Sequence, residues 1–171
     1  MAQAWSADAF PVPKHNHGRC QSAALLRTRR LFEAKGLKLT ELRRRVFEEI
    51  SASHEALGAY EILERLAAKG RRLAPISVYR AIEALVAAGL VHRFESRNAF
   101  FACHAVHGMR HMVLACEACG RVAEVDGDKV FAAVDKSAAS AGFTAKVAMV
   151  EVWGVCATCA GKAQEPGHGR A

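Results

Sequence analysis

The sequence predicts an α+β protein of two small domains, a helix-rich N-terminal half and a mixed C-terminal half. Three observations lead to this prediction. Apolar residues recur at helical spacing in the first half of the chain. Two Cys-x-x-Cys pairs lie among strand-like segments in the second half. The net positive charge lies in the first half. A chain of 171 residues, 51% of them hydrophobic, is long enough to bury two small cores.

The charge distribution separates the two halves. Residues 1–103 hold 17 Lys and Arg against 10 Asp and Glu, a balance of +7, whereas residues 104–171 hold 7 of each kind. A basic domain has the electrostatic character of a nucleic-acid binder, although a basic solvated face without function has the same composition. There is no apolar run of membrane-spanning length and no secretory signal, so we expect a cytoplasmic protein without membrane contact.

Helical signals fill most of the first half. Residues 1–20 lack them and are expected to form a disordered arm, and a first helix is predicted over 23–34. Thr40 offers an N-cap for a second helix, Gly58 precedes a third, and Pro75 suits the first turn of a fourth.

Two short strands are predicted after the fourth helix, over 90–95 and 99–103, around the turn Ser96-Arg97-Asn98. Two helices joined by a short turn and followed by a hairpin have the outline of a winged helix-turn-helix. We therefore predict a winged-helix domain over 21–103, followed by a hinge over 104–110.

The second half is predicted to form a small α/β domain over 111–163 that carries zinc knuckles, followed by a disordered tail over 164–171. Its predicted elements are strands over 111–115 and 121–125, a helix over 129–141 and one long strand over 143–155.

Each Cys-x-x-Cys pair is a tight turn that can present two thiolates to one metal ion. Cys116 with Cys119 and Cys156 with Cys159 together supply the four ligands of a tetrahedral zinc site. Redox activity is the alternative, but neither pair has the βαβ context of a thioredoxin-like site. We therefore predict structural zinc at these four cysteines.

A second set of metal ligands follows from hairpin pairing. If the wing turn has two residues, His92 lies opposite Cys103; symmetric strands around the first cysteine pair place His111 opposite Glu124. Two histidines, a cysteine and a glutamate form a plausible tetrahedral zinc set. A register slip of one residue would destroy either pairing.

Ordinary roles are open for each of these four residues. His92 could contact a DNA phosphate, Cys103 could be a small buried hydrophobe, and His111 with Glu124 could be a simple cross-strand pair. His104 and His107 are near enough in sequence to replace His111. The remaining candidates are His15, His17 and Cys20 for a third metal site, and His54, expected in a loop.

Six segments of the chain match the motifs of one known family. They are Leu39-Thr40-x-x-Arg43, Gly58-Ala59-Tyr60-Glu61-Ile62-Leu63, Ser77-Val78-Tyr79-Arg80-Ala81-Ile82, Leu90-Val91-His92-Arg93-x-Glu95-Ser96, Cys103-His104 and Cys116-x-x-Cys119-Gly120-x-Val122-x-Glu124. With these motifs the chain resembles the ferric uptake regulator (Fur) family and, within it, the zinc uptake regulator branch. Ser77 stands where that family usually has Thr, and Glu41 where it often has Pro.

This resemblance implies a homodimer that binds operator DNA and represses zinc-uptake genes when zinc is plentiful. It implies two zinc ions per chain, a structural ion on the four cysteines and a regulatory ion on His92, Cys103, His111 and Glu124. An iron- or peroxide-responsive regulator is the alternative, and the Cys103 thiolate favours zinc over it. A zinc enzyme with a small-molecule substrate is not expected, because both ligand sets are closed. The DNA contacts are assigned to Arg43, Tyr60, Ser77, Tyr79 and Arg80.

Overall fold

The computed structural model describes residue 10 and residues 17–70, 73–103 and 110–163. Its contacts divide the chain between Gly108 and Met109 into two compact units, and Phe10 belongs to the C-terminal one. Most of the predicted arm and hinge and the whole predicted tail lie outside the described residues. So do His15, His104 and His107, together with the side chains of His17 and Cys20.

In the described part of the N-terminal unit, four α-helices bury the residues that recur at helical spacing. The first is longer than predicted, because it begins inside the segment expected to be a disordered arm. Polar residues there give no apolar period, yet Arg, Gln and Ser are compatible with helix. The helices are α1 (His17–Ala34), α2 (Glu41–Ile50), α3 (Ala59–Ala68) and α4 (Pro75–Ala87).

Local signals set the helix ends. The Thr40 side chain accepts a hydrogen bond of 3.3 Å from the Arg43 backbone N–H, which caps α2. Pro75 lies in the first turn of α4, where its missing N–H costs nothing.

The core between the helices consists of side chains less than 2% exposed, among them Phe32, Phe47, Ile50, Ile62, Leu66, Ile82 and Leu85.

The wing is a three-stranded sheet in the order β1-β3-β2, formed by β1 (Leu57–Gly58), β2 (Val91–Phe94) and β3 (Ala99–Ala102). His92 pairs with Phe101, so the predicted pairing of His92 with Cys103 is wrong by two residues. The connection has four residues rather than two, a 3₁₀ turn closed by Asn98 at φ 49°. Because side chains alternate with a period of two, Cys103 still lies on the same face as His92.

The C-terminal unit contains β4 (His111–Cys116), β5 (Val122–Asp126), α5 (Asp128–Ser140), β6 (Glu151–Gly154) and α6 (Ala157–Ala163). Its sheet has the order β5-β4-β6, with β6 parallel to β4. His111 pairs with Asp126 and Glu124 with Val113, so the predicted His111–Glu124 pairing is also wrong by two residues. The turn is again longer than expected, and the shared face is again preserved.

The single long strand predicted over 143–155 is mostly wrong. Within residues 143–155, all of which the structure describes, Glu151–Gly154 alone forms a strand. Phe143 and Val147 are 66% and 74% exposed. Alternation shows which side chains would share a face, but a strand also needs a neighbouring backbone to pair with. Among the described helices, none is long and apolar enough to span a membrane.

Candidate metal centre and nucleic-acid interface

The sheet of the C-terminal unit brings the two cysteine pairs together. Cys116 ends β4, and Cys156 lies two residues beyond β6. Because β6 runs parallel to β4, with Cys116 beside Gly154, both strands end on the same side of the sheet. As a result, the four sulfur atoms of Cys116, Cys119, Cys156 and Cys159 all lie within 4.8 Å of one another.

This cluster fits a tetrahedral zinc ion. Four thiolates bound at the usual zinc–sulfur length are separated by about 3.8 Å along each tetrahedral edge. The sulfurs of Cys119 and Cys156 lie 3.9 Å apart, although they belong to different pairs. Thiolate is also the donor that structural zinc prefers. The donor atoms and their spacing therefore satisfy what such an ion requires.

The electrostatics of the cluster point in the same direction. A hydrogen bond from the Cys156 backbone N–H lowers the pKa of Cys116 to about 6, assisted by the backbone of Cys119. A side-chain hydrogen bond with Cys156, with further ones to Cys119 and Cys116, raises the pKa of Cys159 to about 12. Four neighbouring thiolates cannot all be ionised at neutral pH without a cation among them.

Arg121, which the sequence analysis did not single out, joins the two cysteine pairs. Its Nε donates to the Cys119 sulfur at 3.2 Å, and one of its terminal nitrogens donates to the Cys156 sulfur at 3.5 Å. The hydrogen bond to Cys119 raises the pKa of Arg121, so the guanidinium stays charged. Four thiolates with one divalent ion carry a charge of −2, which this guanidinium partly offsets.

We expect Arg121→Ala to release zinc to a competing chelator about tenfold faster than the parent protein, because loss of a partner that hydrogen-bonds the ligands typically weakens metal binding by that amount or more. Arg121→Lys should recover part of the difference through its charge. Exposed Lys129 on α5 supplies the control, Lys129→Ala. Equal release rates in all four proteins would contradict a role for Arg121 in metal retention.

The wing carries two of the residues predicted for the second metal set. His92 is half-buried, and its ring centroid lies 5.7 Å from that of Phe101. Cys103 directly follows β3 and is buried, with its backbone N–H donating to the Leu90 carbonyl at 2.9 Å. The guanidinium of Arg27, on α1, donates to the Cys103 carbonyl and fixes the backbone there. No spacing pattern predicts this contact, since the two residues are 76 positions apart.

The C-terminal unit carries the other two residues. His111 begins β4 and is half-buried, whereas Glu124 on β5 is only 6% exposed. The observed register makes them diagonal neighbours on one face of the β4–β5 pair. A carboxylate buried to this extent needs a hydrogen-bonding or cationic partner, and a metal ion is one such partner.

The predicted DNA-contact residues differ in exposure. Tyr60, near the start of α3, is 72% exposed, and Arg80 on α4 is exposed as well. Arg43, Ser77 and Tyr79 are half-buried. Arg43 donates to the Lys38 carbonyl at 2.6 Å and so supports the turn between α1 and α2. Tyr60 and Arg80 are thus the two of the five that project most into solvent.

A winged-helix unit joined to a unit whose four clustered cysteines fit a metal ion is typical of metal-dependent DNA-binding regulators. The sequence model of the Ferric uptake regulator family matches residues 34–153. The chain belongs to this family.

Two curated relatives show which branches are similar. The zinc uptake regulation protein of Escherichia coli K12 is 30% identical over 137 residues, which is 79% of this chain and 80% of that protein. The ferric uptake regulation protein of Legionella pneumophila is 31% identical over 128 residues, 72% of this chain and 92% of that protein.

Two solved structures are similar over most of the chain. A zinc uptake regulator complexed with zinc and DNA has a TM-score of 0.78 at 28% identity, covering 84% of this chain and 97% of that one. Holo XcZur has a TM-score of 0.72 at 34% identity, covering 82% of this chain and 99% of that one.

Proposed function

We propose that this protein is a zinc-responsive transcriptional repressor that acts in the cytoplasm and binds operator DNA as a zinc-loaded homodimer. It represses zinc-uptake genes when zinc is plentiful. The observation that carries the proposal is the presence, in one chain, of a winged helix with exposed Arg80 and a cluster of four cysteine sulfurs. The likeness to a regulator solved with zinc and DNA supports it.

We infer that the chain binds two zinc ions. The four cysteines hold the structural ion. His92, Cys103, His111 and Glu124 are proposed to hold the regulatory ion. Within each hairpin the two candidate ligands share one face, which supports their use as pairs. Imidazole, thiolate and carboxylate together form a donor set typical of zinc.

The proposed switch depends on which residues belong to which unit. His92 and Cys103 belong to the winged-helix unit, whereas His111 and Glu124 belong to the other. Shared ligation by both pairs would restrict the movement of the two units and, in a dimer, set the spacing of two recognition helices against two half-sites. Driving such an equilibrium from 1:99 to 99:1 requires about 5.5 kcal/mol, and structural zinc sites supply about 10 kcal/mol or more.

Two other functions are compatible with parts of the chain. An iron- or peroxide-responsive regulator is favoured by the similarity to the Legionella pneumophila protein. The soft Cys103 thiolate favours zinc instead. A zinc enzyme would keep one metal position open for water, whereas both proposed sets supply four protein ligands. We therefore propose no catalytic activity and no small-molecule substrate.

Binding to candidate promoter DNA, measured against buffered free zinc, iron(II) and manganese(II), tests the proposed function. We expect zinc to induce tight DNA binding at a lower free-metal concentration than iron(II) or manganese(II). Tight binding that depends on iron and not on zinc would support the alternative regulator. Binding that is independent of every metal would contradict both.

Arg80→Ala should weaken operator binding about 10- to 100-fold. Arg80 lies on α4, which follows α3 as the second helix of the helix-turn-helix and is therefore its recognition helix. An arginine there can reach a guanine edge or a phosphate. Both zinc ions should remain bound, since Arg80 is exposed and in none of the proposed ligand sets. Lys129→Ala, which removes one positive charge from the other unit, controls for net charge and should bind normally. If Arg80→Ala also binds normally at physiological salt, another surface contacts the DNA.

A further inference from the structure

The first turn of α4 exposes a large apolar side chain. Ile76 is 60% exposed, whereas Val78, Ile82 and Leu85 on the opposite face of the same helix are at most 1% exposed. Ile76 and Arg80 are four positions apart, so they lie one above the other on the outward face. The exposed Ile76 therefore presents an apolar group on the same face as Arg80, the residue expected to touch DNA.

The charges on this face indicate which end of α4 approaches a nucleic acid. Arg80 is followed on the outward face by Glu83, which is also exposed. A carboxylate is repelled by phosphates, whereas the N-terminus of a helix attracts them. Recognition helices likewise place their N-terminal residues against base edges. The first turn, which carries Ile76, is therefore the part of α4 that comes closest to the bases.

We propose that Ile76 recognises the C5 methyl group of a thymine in the major groove; this rests on the proposed DNA binding. An isoleucine side chain neither donates nor accepts hydrogen bonds, so it can gain only from an apolar group. Thymine alone among the four bases presents such a group in the major groove. Cytosine at that position would lose water from its amino group without gaining a partner.

The helix geometry limits where this thymine lies. Four residues of α-helix rise about 6 Å, and adjacent base pairs are about 3.4 Å apart. The thymine contacted by Ile76 therefore lies within about two base-pair steps of the base contacted by Arg80. Ile76 would thus require a thymine in the operator close to the base with which Arg80 is proposed to form hydrogen bonds.

The test replaces thymine by deoxyuridine, which removes the methyl group and leaves base pairing unchanged. The zinc-loaded full-length protein first selects a duplex from random sequences. Each thymine of that duplex is then replaced singly, and Kd is measured for the parent protein and for Ile76→Ala. We expect one replacement to weaken parental binding about fourfold, the loss expected for one buried methyl-sized group. The same replacement should leave the Kd of Ile76→Ala unchanged.

A control on the same helix separates this contact from general effects. Val86 is 37% exposed near the C-terminal end of α4, and Val86→Ala should retain the full deoxyuridine effect. Equal deoxyuridine effects in the parent and in Ile76→Ala would overturn this inference and leave the proposed function standing. A zinc-loaded parent that selects and binds no duplex would overturn both.

Discussion

We expect Cys116→Ser to lose the zinc proposed for the four-cysteine site, the C-terminal unit to unfold and the dimer to dissociate. Cys116 is 1% exposed, and its sulfur accepts the backbone N–H of Cys156 at 3.3 Å, so it connects the end of β4 to the second pair. Structural zinc supplies about 10 kcal/mol or more, comparable with the whole stability of a small domain, about 5–15 kcal/mol.

Zinc content, circular dichroism and sedimentation measure this result. Cys20→Ser is the control, since it removes a thiol outside both cysteine pairs and both proposed ligand sets. It should keep two zinc ions and remain dimeric. A Cys116→Ser protein that stays a stable dimer and retains all its zinc would refute the structural role of this cluster.

Cys103→Ser has the second large expected effect, on sensing rather than on folding. Cys103 lies outside both cysteine pairs, so the protein should fold, dimerise and keep its structural zinc. Serine is a far poorer zinc ligand than thiolate, so one zinc per chain should bind tightly instead of two. The free zinc concentration needed for operator binding should rise by at least about 100-fold. Loss of a residue that only hydrogen-bonds a metal ligand lowers metal affinity by less than this.

Zinc titration against a competing chelator, combined with DNA-binding assays, tests both parts of this prediction. His92→Ala should behave in the same way, because it removes the proposed ligand on the same face of the wing. Normal zinc-dependent DNA binding by Cys103→Ser would show that this thiolate is not a sensor ligand. The next candidates would then be His104, His107 and the arm residues His15, His17 and Cys20, and the main reason to prefer zinc over iron would be lost.

The two variants are expected to lose different properties. Cys116→Ser is expected to lose structure and DNA binding together, whereas Cys103→Ser is expected to lose only the response to zinc. If both variants unfold, Cys103 is a structural residue of the wing. Its burial and the contact between its carbonyl and Arg27 are consistent with such a role, so circular dichroism of Cys103→Ser is essential.

The sequence by itself determined the elements whose signals are local. Thr40 caps α2, Gly58 precedes α3 and Pro75 begins α4, because capping and the fixed φ of proline depend on neighbouring residues only. The spacing of the two Cys-x-x-Cys pairs likewise predicted that four cysteines supply one set of metal ligands, and their sulfurs do lie together. The alternation of side chains along a strand also predicted which residues share a face. That prediction holds although both registers were wrong, because each error was two residues.

The tertiary structure alone decided which residues lie opposite one another. His92 pairs with Phe101 and Glu124 with Val113, because the lengths of the connecting turns set the register. Pairing with β4 also decided that, of the long strand predicted over 143–155, only Glu151–Gly154 forms. The contacts of Arg27 and Arg121 depend on long side chains that cross between elements. Such contacts follow from three-dimensional packing, and short-range periodicity carries no information about them.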